Sequence, residues 1–128
     1  MLHYSAIKGH RGTVQLLLDR GSDIHTTDKD GWTVLHHSAN KGHKDIVQLL
    51  LDRGAGIRVA TNTGLTALHC SPSKGYRETT QLLLVREADI QAIDDNGMTA
   101  LHYSSSAGHR DTPQLLERGA DMGNGVTV

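Results

Sequence analysis

The sequence has no phenylalanine, and its 128 residues include one tryptophan, three tyrosines, two prolines and one cysteine. The core must therefore be built from Leu, Ile, Val, Ala and other small side chains, which suits thin, closely packed helices. Because Cys70 is the only cysteine, no disulfide can form within the chain. This cysteine usage fits a reducing compartment, and the length fits one domain.

Strong charge and long apolar runs are also missing. The formal net charge is −1, with both signs mixed along the chain, and no run of Lys and Arg indicates nucleic acid or an anionic membrane as a partner. The longest aliphatic run, Leu82–Val85, is far too short to span a bilayer. The first residues, Met1–Ser5, lack the pattern of a signal peptide. We expect a soluble protein of the cytoplasm or nucleus.

What the chain does contain is an internal repeat. Its clearest copy is the segment 30–43, and related segments recur upstream and downstream at intervals of 33 residues. One column of this repeat is histidine, at His3, His36, His69 and His102. A second column is glycine, at Gly9, Gly42, Gly75 and Gly108. A fixed period of this length indicates a stacked array of supersecondary units.

The pattern G-x-T-x-L-H-x-S/A, followed by G-H and L-L-L-D-R-G-A-D, resembles the ankyrin repeat. The resemblance implies an all-α solenoid in which each repeat has two antiparallel helices, with β-turn or hairpin loops joining the units. It covers residues 1–122, divided into repeats of about 1–27, 28–60, 61–93 and 94–122. The first repeat is truncated, the third and fourth are degenerate, and residues 123–128 are predicted to be a disordered tail.

The second repeat illustrates why these residues should fold into two helices. Thr33 is a good N-cap for a first helix over about residues 34–41, and Gly42 can end that helix in a left-handed conformation. A second helix is predicted over about residues 45–52, with a broad apolar face for both neighbouring repeats and Gly54 as its C-terminal cap.

The third repeat departs most from the pattern. Pro72 falls inside its first helix, and Thr79 and Thr80 replace the apolar Ile46 and Val47 of the second repeat. Glu87 stands at the position of the capping glycine, where a side chain costs about 1 kcal/mol. We therefore predict that this repeat is the least stable part of the array. In the fourth repeat, Pro113 falls in the first turn of the second helix, where proline is better tolerated.

Nine histidines invite the hypothesis of a metal site. Seven of them belong to two columns of the repeat, and successive members of a column should lie about 8–10 Å apart, too far to share one ion. We therefore predict structural histidines, no metal and no cofactor. Cys70 and His69 are adjacent on a helix and do not face each other, so we predict no catalytic cysteine and no enzyme activity.

The resemblance also implies the function, which is binding a partner protein through a concave face formed by the turn tips and first helices. The candidate residues are positions in that surface, most of which vary between copies: Lys29, Asp30, Trp32, His37, Asn40, Lys41, Asn62, Thr63, Leu65, Ser73, Lys74, Asp95, Asn96, Met98 and Tyr103. Trp32, Leu65 and Met98 would form an exposed apolar stripe on successive turn tips, with Trp32 as the main anchor.

Two other interpretations stay open at this point. The segment could be a structural spacer within a longer ankyrin array, which a continuation of the period upstream of Met1 would favour. It could also be a regulatory domain of a larger protein, including an enzyme whose catalytic domain lies elsewhere. We expect a monomer or part of a longer array, with a protein as its partner.

Overall fold

A computed structural model describes residues 2–73 and 77–106. In this part of the chain the regular structure is helical, and its only β feature is an isolated bridge between Thr27 and Thr33. The helices are α1 (Leu2–Ile7), α2 (Arg11–Asp19), α3 (Val34–Asn40), α4 (Lys44–Asp52), α5 (Ala67–Ser73), α6 (Arg77–Val85) and α7 (Ala100–Ser106). The predicted fold of helix pairs joined by turns is therefore confirmed.

The helices form two layers. In the first layer α1 packs on α3, α3 on α5 and α5 on α7, and in the second layer α2 packs on α4 and α4 on α6. Each pair also packs within its own repeat, as α3 does on α4. The core between the layers is aliphatic, and its largest fully buried members include Leu35, Ile46, Leu50, Leu68 and Leu83. One continuous core thus joins the repeats.

The predicted helix ends of the second repeat are confirmed. The Thr33 hydroxyl accepts a hydrogen bond from the backbone N–H of His36, and the His36 side chain accepts one from the Thr33 N–H, so the two residues form a reciprocal cap. Gly42 and Gly54 take the left-handed conformation, with φ values of 72° and 92°. Glu87, at the corresponding position of the third repeat, is forced into the same conformation with φ of 69°.

The third repeat keeps both of its helices. Helix α5 includes Pro72 without a break and ends one residue later, at Ser73. Thr79 and Thr80 are fully buried, and the Thr80 hydroxyl lies 2.8 Å from the Ser71 hydroxyl. This hydrogen bond reduces the cost of a polar side chain in the core. The lower stability of the repeat stays a prediction.

Several predictions fall on other residues. The second helix of the fourth repeat, with Pro113, and the tail over residues 123–128 lie outside the described residues. The division into repeats at residues 27, 60 and 93 also stays a prediction.

Candidate protein-binding surface

The turns between the repeats share one geometry. In the second repeat the Asp28 N–H donates to the Trp32 carbonyl, and one Asp28 carboxylate oxygen accepts from the N–H groups of Asp30 and Trp32 at 2.9 and 3.0 Å. Thr61 and Asp94 take the same role in the next two turns. An acceptor side chain at the start of each turn therefore holds its tip in a fixed conformation.

Neighbouring turn tips are also joined to one another. The Asn62 N–H donates to the Asp30 carbonyl at 3.0 Å, and its side-chain amide donates to the Lys29 carbonyl at 3.1 Å. The Asp95 N–H donates to the Thr63 carbonyl at 2.9 Å in the same way. The three described turns consequently form one continuous edge, which we call the turn edge.

In the first three repeats, a histidine in the first helix connects its repeat to the next one. The Nδ1 atom of His36 accepts from the Thr33 N–H at 3.0 Å, and its Nε2 atom lies 2.9 Å from the Leu65 carbonyl of the third repeat. Because the N–H can only donate and the carbonyl can only accept, this arrangement requires the neutral imidazole with its proton on Nε2. Burial lowers the pKa of His36, which favours the same neutral form.

The column repeats this connection along the array. His3 Nε2 lies 3.2 Å from the Trp32 carbonyl, and His69 Nε2 lies 3.0 Å from the Met98 carbonyl. These histidines therefore join adjacent repeats. In the described segments no cluster of three or more His, Cys, Asp and Glu side chains is suited to hold a metal ion.

A small cavity opens on the surface of the second repeat, next to the turn edge. Its volume is about 240 Å³, and it is lined by Asp28, Asp30, Trp32, His37 and Asn40. The turn supplies the two carboxylates and the indole ring, while α3 supplies the imidazole and the amide. No Lys or Arg side chain contributes to this lining.

Asp28 and His37 fix one wall of the cavity. The second carboxylate oxygen of Asp28 lies 2.9 Å from His37 Nε2, and both side chains are partly buried. Burial acts to raise the pKa of Asp28, but hydrogen bonds from the Trp32 N–H, the His37 ring and the Asp30 N–H outweigh it and lower the pKa. Asp28 is therefore a carboxylate at neutral pH, and its oxygens are occupied by groups of its own repeat.

A family model of ankyrin repeats in three copies matches residues 2–94 and 60–125, nearly the whole chain. The chain belongs to the ankyrin repeat family. Ankyrin repeats are generally protein–protein interaction modules and are typically not enzymes. Comparison with curated proteins gave no significant match.

The structure places most of the predicted binding residues of this ankyrin array on the turn edge or the adjoining first helices. The exposed ones are Lys29, Asp30, Lys41, Asn62, Thr63, Asp95 and Asn96. The partly buried ones are Trp32, His37, Asn40, Leu65, Met98 and Tyr103. Ser73 ends α5, and Lys74 lies outside the described residues. The cavity brings Asp30, Trp32, His37 and Asn40 together.

The expected stripe of exposed apolar side chains is wrong. Trp32, Leu65 and Met98 are all partly buried. The Trp32 ring lies 5.1 Å from the His37 ring and 5.8 Å from the His36 ring, measured between centroids, and it packs against the core cluster. The sequence could not show this packing, because it depends on how α3 is oriented against the turn.

The sequence patterns did not predict a role for Asp28 in this site. A signal was present, because Asp28 precedes His37 by nine residues and Asp94 precedes Tyr103 by the same number. The Tyr103 hydroxyl donates to the Asp94 carboxylate, and this bond raises the pKa of Tyr103 to about 12. The turns of the second and fourth repeats thus each bond to the first helix of their own repeat.

Cys70 occupies the His37 position in the third repeat and is buried. Its Sγ atom lies 3.5 Å from the Thr66 carbonyl, and burial raises the pKa of the thiol to about 12. At neutral pH Cys70 is therefore a thiol and a poor nucleophile.

Among the described helices, none is long and apolar enough to cross a membrane.

Proposed function

We propose that this chain is a non-catalytic module that binds a partner protein through its concave face, the surface formed by the turn edge and the exposed sides of the first helices. The observation that carries the proposal is the hydrogen-bonded turn edge. It presents exposed polar side chains from three successive repeats on a backbone that is fixed before any partner arrives.

A fixed backbone matters because ordering a loop on binding costs free energy. The tips are held by bonds within each turn and by bonds to the next turn, so little backbone freedom remains to be lost on association. The second helices provide the other layer and bury Ile46, Val47, Leu49 and Leu50 in α4 alone. Their apolar faces serve the core, which leaves the first layer and the turns for recognition.

The binding face can be tested by photo-crosslinking. A photoreactive amino acid is placed at Asn62, an exposed turn tip, or at Gln48, an exposed position on α4 that serves as the control. Each variant is irradiated in cell extract, and the adducts are identified by mass spectrometry. We expect the Asn62 variant to capture a protein that the Gln48 variant does not.

Two checks complete the design. Far-UV circular dichroism of both variants should match that of the unmodified chain, and the Asn62 variant should lose only the exposed bond of its amide to the Lys29 carbonyl, about 0.5–1.5 kcal/mol of stability. Capture from Gln48 alone, or equally from both positions, would place the contact outside the concave face. No specific adduct from either position would contradict a protein-binding function for this surface.

A further inference from the structure

We propose that the cavity on the second repeat binds a basic side chain, Arg or Lys, of the partner protein. This inference rests on the proposed function and names the chemistry of one contact within it. Three properties of the cavity support it: the charge of its walls, the indole ring, and the different residues at the same turn positions of the third and fourth repeats.

The first property is charge. Asp30 is exposed, and in the described part of the chain its carboxylate makes no hydrogen bond, whereas its N–H and carbonyl are bonded to Asp28 and Asn62. Asp28 adds a second carboxylate to the lining, and no cationic Lys or Arg offsets them there. A guanidinium or ammonium group would pair with Asp30 and could donate to the amide oxygen of Asn40.

The second property is the indole ring of Trp32. The ring is positioned by His36 and His37, yet it stays partly exposed and lines the cavity. A cation close to an indole face is attracted by the negative charge of that face, and Trp is the best of the aromatic side chains in this role. Because the ring is already packed, a ligand does not have to order it.

The third property is that the site is particular to this repeat. The third repeat has Thr63 where the second has Asp30, and Leu65 where it has Trp32. The fourth repeat has Asn96 and Met98 at these positions. Neither copy therefore combines a carboxylate with an aromatic ring at the turn tip.

Other occupants fit less well. An acidic side chain would face two carboxylates, and the repulsion between like charges in a partly desolvated site opposes binding. An apolar side chain would remove water from the Asp30 carboxylate without giving it a partner, which is costly for a charged group. A basic side chain satisfies the carboxylate and covers the ring at the same time.

The experiment is a selection of random peptides displayed on phage against the immobilised full chain, followed by affinity measurements with synthetic peptides. Trp32 is the only tryptophan, so its fluorescence reports occupation of the cavity directly. The test variant is Asp30→Asn, which keeps the size of the side chain and both backbone bonds of the residue. The matched control is Asp45→Asn, the same charge change at an exposed position of α4, outside the proposed binding face.

If the inference is right, the selected peptides are enriched in Arg or Lys, and binding changes the Trp32 fluorescence. Replacing the basic residue of a peptide by Ala lowers its affinity about fivefold or more, as does Asp30→Asn, while Asp45→Asn changes it less than about twofold. Added salt weakens the peptides, because the pair at the rim of the cavity is screened.

Results that contradict the inference differ from results that contradict the proposed function. Peptides that bind without a basic residue, or that bind Asp30→Asn as tightly as the parent chain, overturn the inference and leave the proposed function standing. Failure to select any peptide that binds the folded chain counts against the proposed function, and the inference falls with it.

Discussion

Replacing His36 by Leu tests the connection between the second and third repeats. The substitution places an apolar side chain of similar size in a fully buried position and removes both ring nitrogens. The buried Thr33 N–H loses the acceptor at 3.0 Å, and the Leu65 carbonyl loses the donor at 2.9 Å. That carbonyl keeps a second bond from the Thr61 N–H at 2.8 Å, so its loss is partial.

The expected loss of stability follows from the Thr33 N–H and the Leu65 carbonyl. A buried N–H left without a partner costs about 1–3 kcal/mol, and a carbonyl that keeps one of two bonds loses about 1 kcal/mol. We therefore expect His36→Leu to lower the free energy of unfolding by about 2–4 kcal/mol in urea titrations followed by circular dichroism. The control is His25→Ala at an exposed histidine outside both columns, which should change stability by less than about 0.5 kcal/mol.

The same variant should alter the pH dependence of stability. The pKa of His36 is lowered from 6.5 in the folded chain, so below pH 6.5 the unfolded chain takes up a proton first. The stability of the parent chain is thus complete above this pH and falls as the pH drops towards the folded pKa. His36→Leu should lose this part of the pH dependence. An unchanged pH profile, or a cost equal to that of His25→Ala, would refute the reasoning.

The remaining predictions concern single residues. Glu87→Gly should raise the free energy of unfolding by about 1 kcal/mol, because glycine adopts the φ of 69° without strain; a loss of stability in thermal melts would contradict this. Gly31→Ala should destabilise the chain, because the new Cβ would lie 2.8 Å from the Asn62 backbone nitrogen and the residue has a φ of 80°. Gly12→Ala, in open space on α2, should instead stabilise the chain by about 0.5–1 kcal/mol. Cys70 should resist thiol reagents near neutral pH in the folded chain and react on unfolding, because burial raises its pKa to about 12; rapid labelling under native conditions would show that the site opens.

The sequence predicted the features that depend on neighbouring residues. The cap at Thr33, the glycines at the ends of α3 and α4 and the strained Glu87 each follow from the conformation that one position requires. The two-layer packing of helices was implied by the resemblance to the ankyrin repeat, in which each repeat has two antiparallel helices.

The features it could not predict depend on contacts between elements. The bond between Asp28 and His37 and the packing of the Trp32 ring require the turn to lie over α3 at a particular angle. The bond between Ser71 and Thr80 likewise joins two helices. Propensity and periodicity describe one element at a time, so the cavity emerged only when the turn and the helix were placed together.

The acceptor in each histidine connection is a backbone carbonyl, and this has a consequence for how such an array can change in evolution. The carbonyls belong to Trp32, Leu65 and Met98, three different residue types, yet each accepts the same bond. A histidine therefore does not require a particular side chain in the repeat that follows it. Whole repeats can therefore be duplicated, deleted or exchanged while this hydrogen bond is kept, and the exposed side chains of the turn tips are free to change.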